Sequence, residues 1–135
     1  MREILFKAKR VDNGEWVVGQ YVNTCYPGND KETGHFVVVY PNEYHEIYTS
    51  TICQFTGLCD KNGKKIWEND ILMAHLDEFY PEDVTYETVE WNVAGWVIHE
   101  AGSTDREYLD EFDLEHFEVV GNIFDNKELL QEERK

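Results

Sequence analysis

The amino-acid sequence predicts a mainly β protein. Short segments rich in Val, Ile, Tyr, Phe and Trp recur along its 135 residues, and clusters of Gly, Asn, Asp and Pro separate them. No region alternates strand-like and helix-like segments in the manner of a parallel sheet. Four Trp, eight Tyr and seven Phe residues supply enough apolar surface for a hydrophobic core that needs no disulfides.

The first predicted element is a β-hairpin. Residues 4–9 alternate weakly between apolar and polar side chains, and residues 16–22 are rich in β-branched and aromatic side chains. Asn13–Gly14 lies between them, and both residue types tolerate the positive φ that tight hairpin turns require.

The next segments predict a loop followed by strands. Residues 23–33 contain Pro27–Gly28 and predict an exposed loop. The apolar run at 36–40 predicts either a strand buried on both faces or the edge of an oligomer. Residues 43–48 alternate in the period of a strand, and 49–55 continue in residues that favour strands.

The middle of the chain carries the densest turn chemistry. Residues 60–63, Asp-Lys-Asn-Gly, predict a tight hairpin loop in which Gly63 takes the left-handed conformation. A second turn is predicted at 68–70. There Asn69 is expected to adopt a positive φ, and the Asp70 carboxylate is expected to accept bonds from nearby backbone amides.

The second half predicts a β-meander. Its strands are expected at 71–74, 84–91, 96–99 and 117–124. Within 84–91, alternation places Val84, Tyr86, Thr88 and Glu90 on one face and Thr85, Glu87, Val89 and Trp91 on the other.

Two short helical segments are also expected. Tyr108, Leu109 and Phe112 are spaced as one helical turn would space them. Residues 125–134 predict a C-terminal helix that Asp125 or Asn126 caps, with Arg134 near its end. The predicted organisation is an N-terminal β region, 1–58, packed on a C-terminal barrel-like β region, 59–135, as one compact unit.

The charge of the chain is strongly acidic. It has 28 Asp and Glu residues against 12 Lys and Arg residues, a formal net charge of −16. The region 77–118 is especially acidic, and its one Lys or Arg residue is Arg106. Because such a surface repels phosphates, direct contact with nucleic acid or an anionic membrane surface is not expected.

The compartment follows from the cysteines and the first residues. Three cysteines, Cys25, Cys53 and Cys59, are an odd number with no disulfide-framework spacing. The first residues lack the apolar stretch of a signal peptide, and no run is long enough to cross a bilayer. A cytoplasmic protein is therefore expected.

Two groups of residues could be metal ligands, but a structural role explains each group better than a metal site does. The cluster of Asp60, Asn62, Glu68 and Asp70 lacks the spacing of a calcium loop, and turn geometry accounts for it. A zinc site would combine Cys53 and Cys59 with His75 and His99, but these cysteines are not a tightly spaced ligand pair. No metal ligand, cofactor site or catalytic residue is assigned, and an enzymatic function is disfavoured.

The four tryptophans are candidates for a core or for ligand stacking. Aromatic residues at this density in a small β protein more often form a core or an oligomer interface. Trp67 and Trp91 are predicted to be core residues, while Trp16 and Trp96 are left unassigned.

Three segments in order resemble the YopX-like phage protein family. The central one reads QFTGL at 54–58, DKNGK at 60–64 and IWENDIL at 66–72. The opening MREILFKA at 1–8 and the close FEVVGNIFDN at 117–126, followed by ELL at 128–130, also resemble that family. Lys9 replaces a usual aromatic residue, Asn69 replaces a usual Gly, and the segments 26–48 and 75–113 do not match closely.

The resemblance implies a bacteriophage or prophage protein that is mainly β and self-associating, and it carries over no catalytic residue. The leading functional hypothesis is an accessory protein of the bacterial host cytoplasm that acts through protein–protein contact or as a homo-oligomer, with a basic host or phage protein as a further candidate partner. One alternative is an acidic DNA mimic that inhibits a nucleic-acid enzyme. Another is an enzyme of unknown type.

Overall fold

A computed structural model describes residues 4–76 and 79–130. The chain divides into two compact units, residues 1–55 and 56–135. Antiparallel sheets dominate both units, so the prediction of a mainly β fold is confirmed.

The first unit is built on an antiparallel sheet. Its elements are β1 (Phe6–Lys9), β2 (Trp16–Tyr26), β3 (Asn29–Val39), β4 (Glu43–Glu46), a 3-10 turn (Thr49–Thr51) and β5 (Cys53–Cys59). The strand order is β4-β3-β2-β1-β5, and β5 continues past Phe55 into the second unit. The predicted turn between β1 and β2 is confirmed, with Gly14 at φ +72°.

The prediction of an exposed loop at 23–33 is wrong. Strand β2 continues to Tyr26 and β3 begins at Asn29, so the connection is only Pro27–Gly28, with Gly28 at φ +78°. Residues Asn23 to Cys25 pair with Thr33 to His35. The Pro27–Gly28 pair that predicted a long loop instead forms a tight connection between two long strands.

The core of the first unit lies on one face of its sheet. Ala8, Val37 and Ile47 are buried there, and Val17 and Tyr21 pack against them. The neighbouring Phe36 is also buried, although it points to the opposite face. Phe36 and Val37 are 3% and 0% exposed and point to opposite faces, so at these two positions β3 is buried on both faces, the first of the two predicted alternatives.

The second unit contains a five-stranded antiparallel sheet. Its elements are β6 (Lys65–Trp67), β7 (Asp70–His75), β8 (Val84–Asn92), β9 (Gly95–Glu100), β10 (Glu107–Tyr108), α1 (Glu111–His116), β11 (Glu118–Asn122) and a 3-10 turn (Lys127–Leu130). The strand order of the sheet is β10-β9-β8-β7-β11. Strand β6 pairs instead with β5.

Register decides which side chains of the second unit form its core. Val89 of β8 lies directly opposite Ile98 of β9, and Leu72 of β7 lies opposite Val119 of β11. These side chains share one face of the sheet with Ala74, and Ile66 and Phe117 pack on them. The two-face alternation predicted for 84–91 is consistent with this arrangement.

The helices differ from their predictions. The internal helix is α1, which begins after Asp110 rather than at Tyr108, because Tyr108 pairs with Val97 in the sheet. The Asp110 carboxylate accepts from the Asp113 N–H at 3.0 Å, and the Asp113 carboxylate accepts from the Asp110 N–H at 3.1 Å. At the C-terminus the described residues form only the 3-10 turn, and Arg134 lies outside them.

Candidate functional site

The Asp60 carboxylate stabilises the loop at 60–63. This loop belongs to the central segment that resembles the YopX-like family, and we call it the signature loop. Asp60 Oδ1 accepts from the backbone N–H groups of Asn62 at 2.8 Å and Lys64 at 2.9 Å. Its Oδ2 accepts from the Val119 N–H at 2.9 Å, which ties the loop to β11. Gly63 has φ +82°, as predicted. The loop therefore has a structural role in the second unit.

The electrostatics of Asp60 agree with that role. Burial by itself raises the pKa of this carboxyl, but the three backbone donors outweigh burial, and the net pKa is lowered. The carboxylate thus stays charged, with its oxygen atoms occupied inside the loop.

The second predicted turn is also structural. Asn69 has φ +71°, as expected for the residue that replaces Gly. The buried Asp70 accepts from the Trp67 N–H at 2.8 Å through Oδ2. Trp67 is buried, so its assignment to the core is confirmed.

The residues of the zinc hypothesis lie in different surroundings. The Cys53 thiol donates to the Thr51 carbonyl in the first unit, and Cys59 is exposed. His75 bonds to the Pro81 carbonyl. Within 4–76 and 79–130 no three His, Cys, Asp or Glu side chains lie together as metal ligands would.

An acidic cleft opens beside the core of the second unit. Its volume is about 550 Å³, and three of its carboxylates come from the sheet: Glu87, Glu100 and Glu107. Glu87 lies directly opposite Glu100 across β8 and β9, and Glu107 lies opposite Ile98. None of the three has a Lys, Arg or His within ion-pair distance among the described residues.

The surroundings of Glu87 change its pKa. Burial, followed by the charges of Glu100, Glu107 and Asp113, raises the pKa of Glu87 to about 7. Burial also raises the pKa of Asp113. The cleft is thus an environment that favours either a proton or a cation.

Large apolar side chains are exposed at the end of the sheet, around the turn between β8 and β9, and we call them the aromatic tip. The exposed fractions are 52% for Trp91, 93% for Val93 and 58% for Tyr108. Trp91 packs edge-to-face on Trp96 with 5.0 Å between ring centroids, and the Tyr108 ring lies against Gly95. Trp91 is therefore not a core residue, and that prediction is wrong. Trp91 lies on the predicted face of β8, but at a position beyond the end of the core.

A second polar centre on the opposite face of β8 and β9 was not predicted. The Thr88 hydroxyl lies 3.0 Å from His99 Nε2, and His99 Nδ1 lies 3.0 Å from the Glu100 carbonyl oxygen. Because a carbonyl oxygen only accepts, Nδ1 carries a hydrogen; in the tautomer that leaves Nε2 without one, Nε2 accepts from the Thr88 hydroxyl. Glu90 lies 3.6 Å from Nε2 and also binds Arg106 Nε.

Side-chain contacts in the first unit link neighbouring parts of its sheet. Tyr21 bonds to His35 Nδ1 at 2.5 Å. The Tyr26 hydroxyl donates to Glu46 at 2.6 Å, and this bond to a carboxylate raises the pKa of Tyr26. The Trp16 ring faces the ammonium groups of Lys7 and Lys9 at 4.7 and 5.4 Å.

The described residues contain no helix that is long and apolar enough to cross a membrane.

Comparisons with known proteins agree with the predicted family. A comparison with curated proteins gives no match. Among solved structures, the chain is similar to protein EF1440 from Enterococcus faecalis, with a TM-score of 0.56 at 20% identity. The match covers 97% of this chain and 100% of that one, and it supports the fold alone. The family model described as YopX protein matches residues 5–131. The chain therefore belongs to the YopX family.

Proposed function

We propose that this chain is a phage or prophage accessory protein of the bacterial cytoplasm, and that it acts by protein–protein contact through its second unit. The observation that carries the proposal is the aromatic tip formed by Trp91, Val93 and Tyr108. Large apolar side chains that are exposed to water are common at interaction surfaces. A partner that covers them removes that apolar area from water.

The acidic cleft sets the charge of the partner. Glu87 of the cleft and Trp91 of the tip lie on the same face of β8, whereas Tyr108, which follows Glu107 of the cleft, points to the opposite face of the sheet. Glu87 and Glu100 face each other with like charge. A Lys or Arg side chain in the cleft would neutralise this repulsion, so the proposed partner presents a basic segment beside an apolar one.

A charge-matched comparison tests this proposal. The probe is a short, fluorescently labelled peptide of alternating Arg and Ala. The cleft variant carries Glu87→Gln, Glu100→Gln and Glu107→Gln. The control removes the same charge from the first unit through Asp30→Asn, Glu32→Gln and Glu43→Gln. We expect the cleft variant to bind about tenfold more weakly than the control, which corresponds to the loss of one charge-assisted contact. Equal losses in the two variants would show that only net charge matters.

Self-association is the second part of the proposal. The same aromatic tip supplies an apolar surface that two copies can share. Light scattering is expected to give a mass above the 16.0 kDa of one chain, and Trp91→Ser is expected to lower it. A monomer at high protein concentration would remove self-association while leaving the basic partner to be tested by the peptide.

A DNA mimic is the narrower alternative. The formal charge of −16 and the cleft carboxylates favour it, because a nucleic-acid enzyme offers a basic surface. In that case the partner is released by DNA as well as by salt. Binding that salt weakens but excess DNA does not would argue for the accessory protein instead.

A further inference from the structure

A separate pocket lies on the face of β8 and β9 opposite the acidic cleft. Its volume is about 520 Å³, and the 3-10 turn at Lys127–Leu130 forms one wall. Its apolar lining includes the side chains of Ala101, Ile123 and Leu130. Small-molecule sites have this size, with a mainly apolar wall and a few polar groups at one place.

The polar groups of this pocket are fixed in position. Thr88 and His99 both line it, and the Thr88 hydroxyl is held on His99 Nε2 at 3.0 Å. The Glu100 carbonyl holds the other ring nitrogen at 3.0 Å, so the imidazole orientation is set from both sides. A pre-oriented imidazole of this kind loses little conformational freedom when a ligand binds.

The charge at this pocket differs from that of the rest of the second unit. Downstream of Lys65 the sequence holds four Lys and Arg residues, and the two among the described residues are Arg106 and Lys127. Lys127 lines the pocket, and Arg106 binds Glu90, which also lines it. Since Arg106 pairs with Glu90, Lys127 is the remaining Lys or Arg side chain that lines the pocket among the described residues.

We propose that this pocket binds a small amphipathic carboxylic acid. The apolar body packs against Ile123 and Leu130, and the carboxylate accepts from the Lys127 ammonium. The ligand is therefore a monoanion with an aliphatic or aromatic body, and its site is independent of the aromatic tip and the acidic cleft.

Three probes with one apolar body test the proposal: octanoate, octylammonium and octan-1-ol. The readout is the shift of backbone amide NMR signals of Ile123 and Leu130. Long-range attraction to a chain of net charge −16 favours octylammonium. Only a locally positive pocket reverses that order, so we expect octanoate to bind most tightly. Equal or tighter binding of octylammonium or octan-1-ol would overturn the proposal, as would the absence of shifts with all three.

Matched variants locate the site. Lys127→Met is expected to weaken octanoate binding by about tenfold, the effect of losing a charge-assisted contact. Lys127→Arg is expected to restore it. Lys61→Met removes the same charge from the exposed signature loop and is expected to leave binding unchanged. Similar losses in Lys127→Met and Lys61→Met would contradict the assignment, provided that both variants keep the wild-type amide spectrum.

Discussion

Glu87 and Glu100 lie directly opposite each other on two neighbouring strands, β8 and β9. Like charges at such positions destabilise a sheet. Thr85 donates to Glu100 at 3.0 Å, whereas Glu87 is half-buried beside the core. The pair is thus an unfavourable interaction within the sheet. Unfavourable interactions of this kind are expected at binding sites.

The first prediction concerns the pH dependence of stability. The pKa of Glu87 in the folded protein is raised to about 7 from an ordinary value of 4.5. Its contribution to stability is therefore fully present below pH 4.5 and is lost as the pH rises through about 7. Glu87→Gln is expected to be more stable than the wild type at pH 8 and to show no such gain at pH 4.

Urea unfolding at the two pH values measures this difference. Glu82→Gln, at an exposed carboxylate in the preceding loop, is the control for the loss of one negative charge. If Glu82→Gln raises the free energy of unfolding at pH 8 as much as Glu87→Gln does, net charge rather than the cleft is responsible.

The second prediction concerns the loop carboxylate. Asp60→Asn keeps the side-chain shape but replaces an acceptor oxygen with an amide, which faces backbone donors instead of accepting from them. We expect a loss of about 2–3 kcal/mol in the free energy of unfolding. Because the pKa of Asp60 is lowered in the folded protein, its contribution is present above the ordinary value of 3.8 and is lost as the pH falls through the folded pKa. A loss no greater than that of the exposed control Asp30→Asn would contradict the structural role.

The third prediction concerns the turn glycine. Nothing lies within 4 Å of a Cβ placed on Gly63, so the only cost of substitution is backbone strain at φ +82°. Gly63→Val is expected to cost about 1–3 kcal/mol. Gly63→Asn is expected to cost less, since Asn tolerates this conformation. Thermal melting should rank them in this order, and identical melting of the two variants would refute it.

The fourth prediction separates two tryptophans by burial. Trp67→Ala removes a buried ring and is expected to cost about 3–5 kcal/mol of stability. Trp91→Ala removes a half-exposed ring and its contact with Trp96, so its cost is expected to be about 1 kcal/mol. Chemical denaturation of the two variants measures both values, and a larger loss for Trp91→Ala would place that ring in the core after all.

The sequence predicts the turns well because their causes are local. Gly63 and Asn69 are residue types that accept a positive φ, and each adopts it. The alternation of 84–91 likewise places Glu87 and Val89 on one face. Alternation does not indicate how far along a strand the core extends. It therefore does not distinguish buried Val89 from exposed Trp91.

The candidate sites depend on pairing between strands, which composition does not contain. Thr88 meets His99, and Glu87 meets Glu100, only because β8 and β9 pair in one particular register. A shift of one residue would separate both pairs. The same limit explains the wrong loop at 23–33, where pairing between β2 and β3 orders polar residues that favour no strand by themselves.

The proposed function requires that the carboxylates of the cleft receive a cation from a partner. Carboxyl-carbon NMR of Glu87, followed against pH, measures this at the residue concerned. We expect a midpoint near 7 in the free protein and a lower midpoint when the Arg-Ala peptide is bound, because a cation favours the charged form. A midpoint at the ordinary value of 4.5, or one that saturating peptide leaves unchanged, would show that the cleft does not receive a cation.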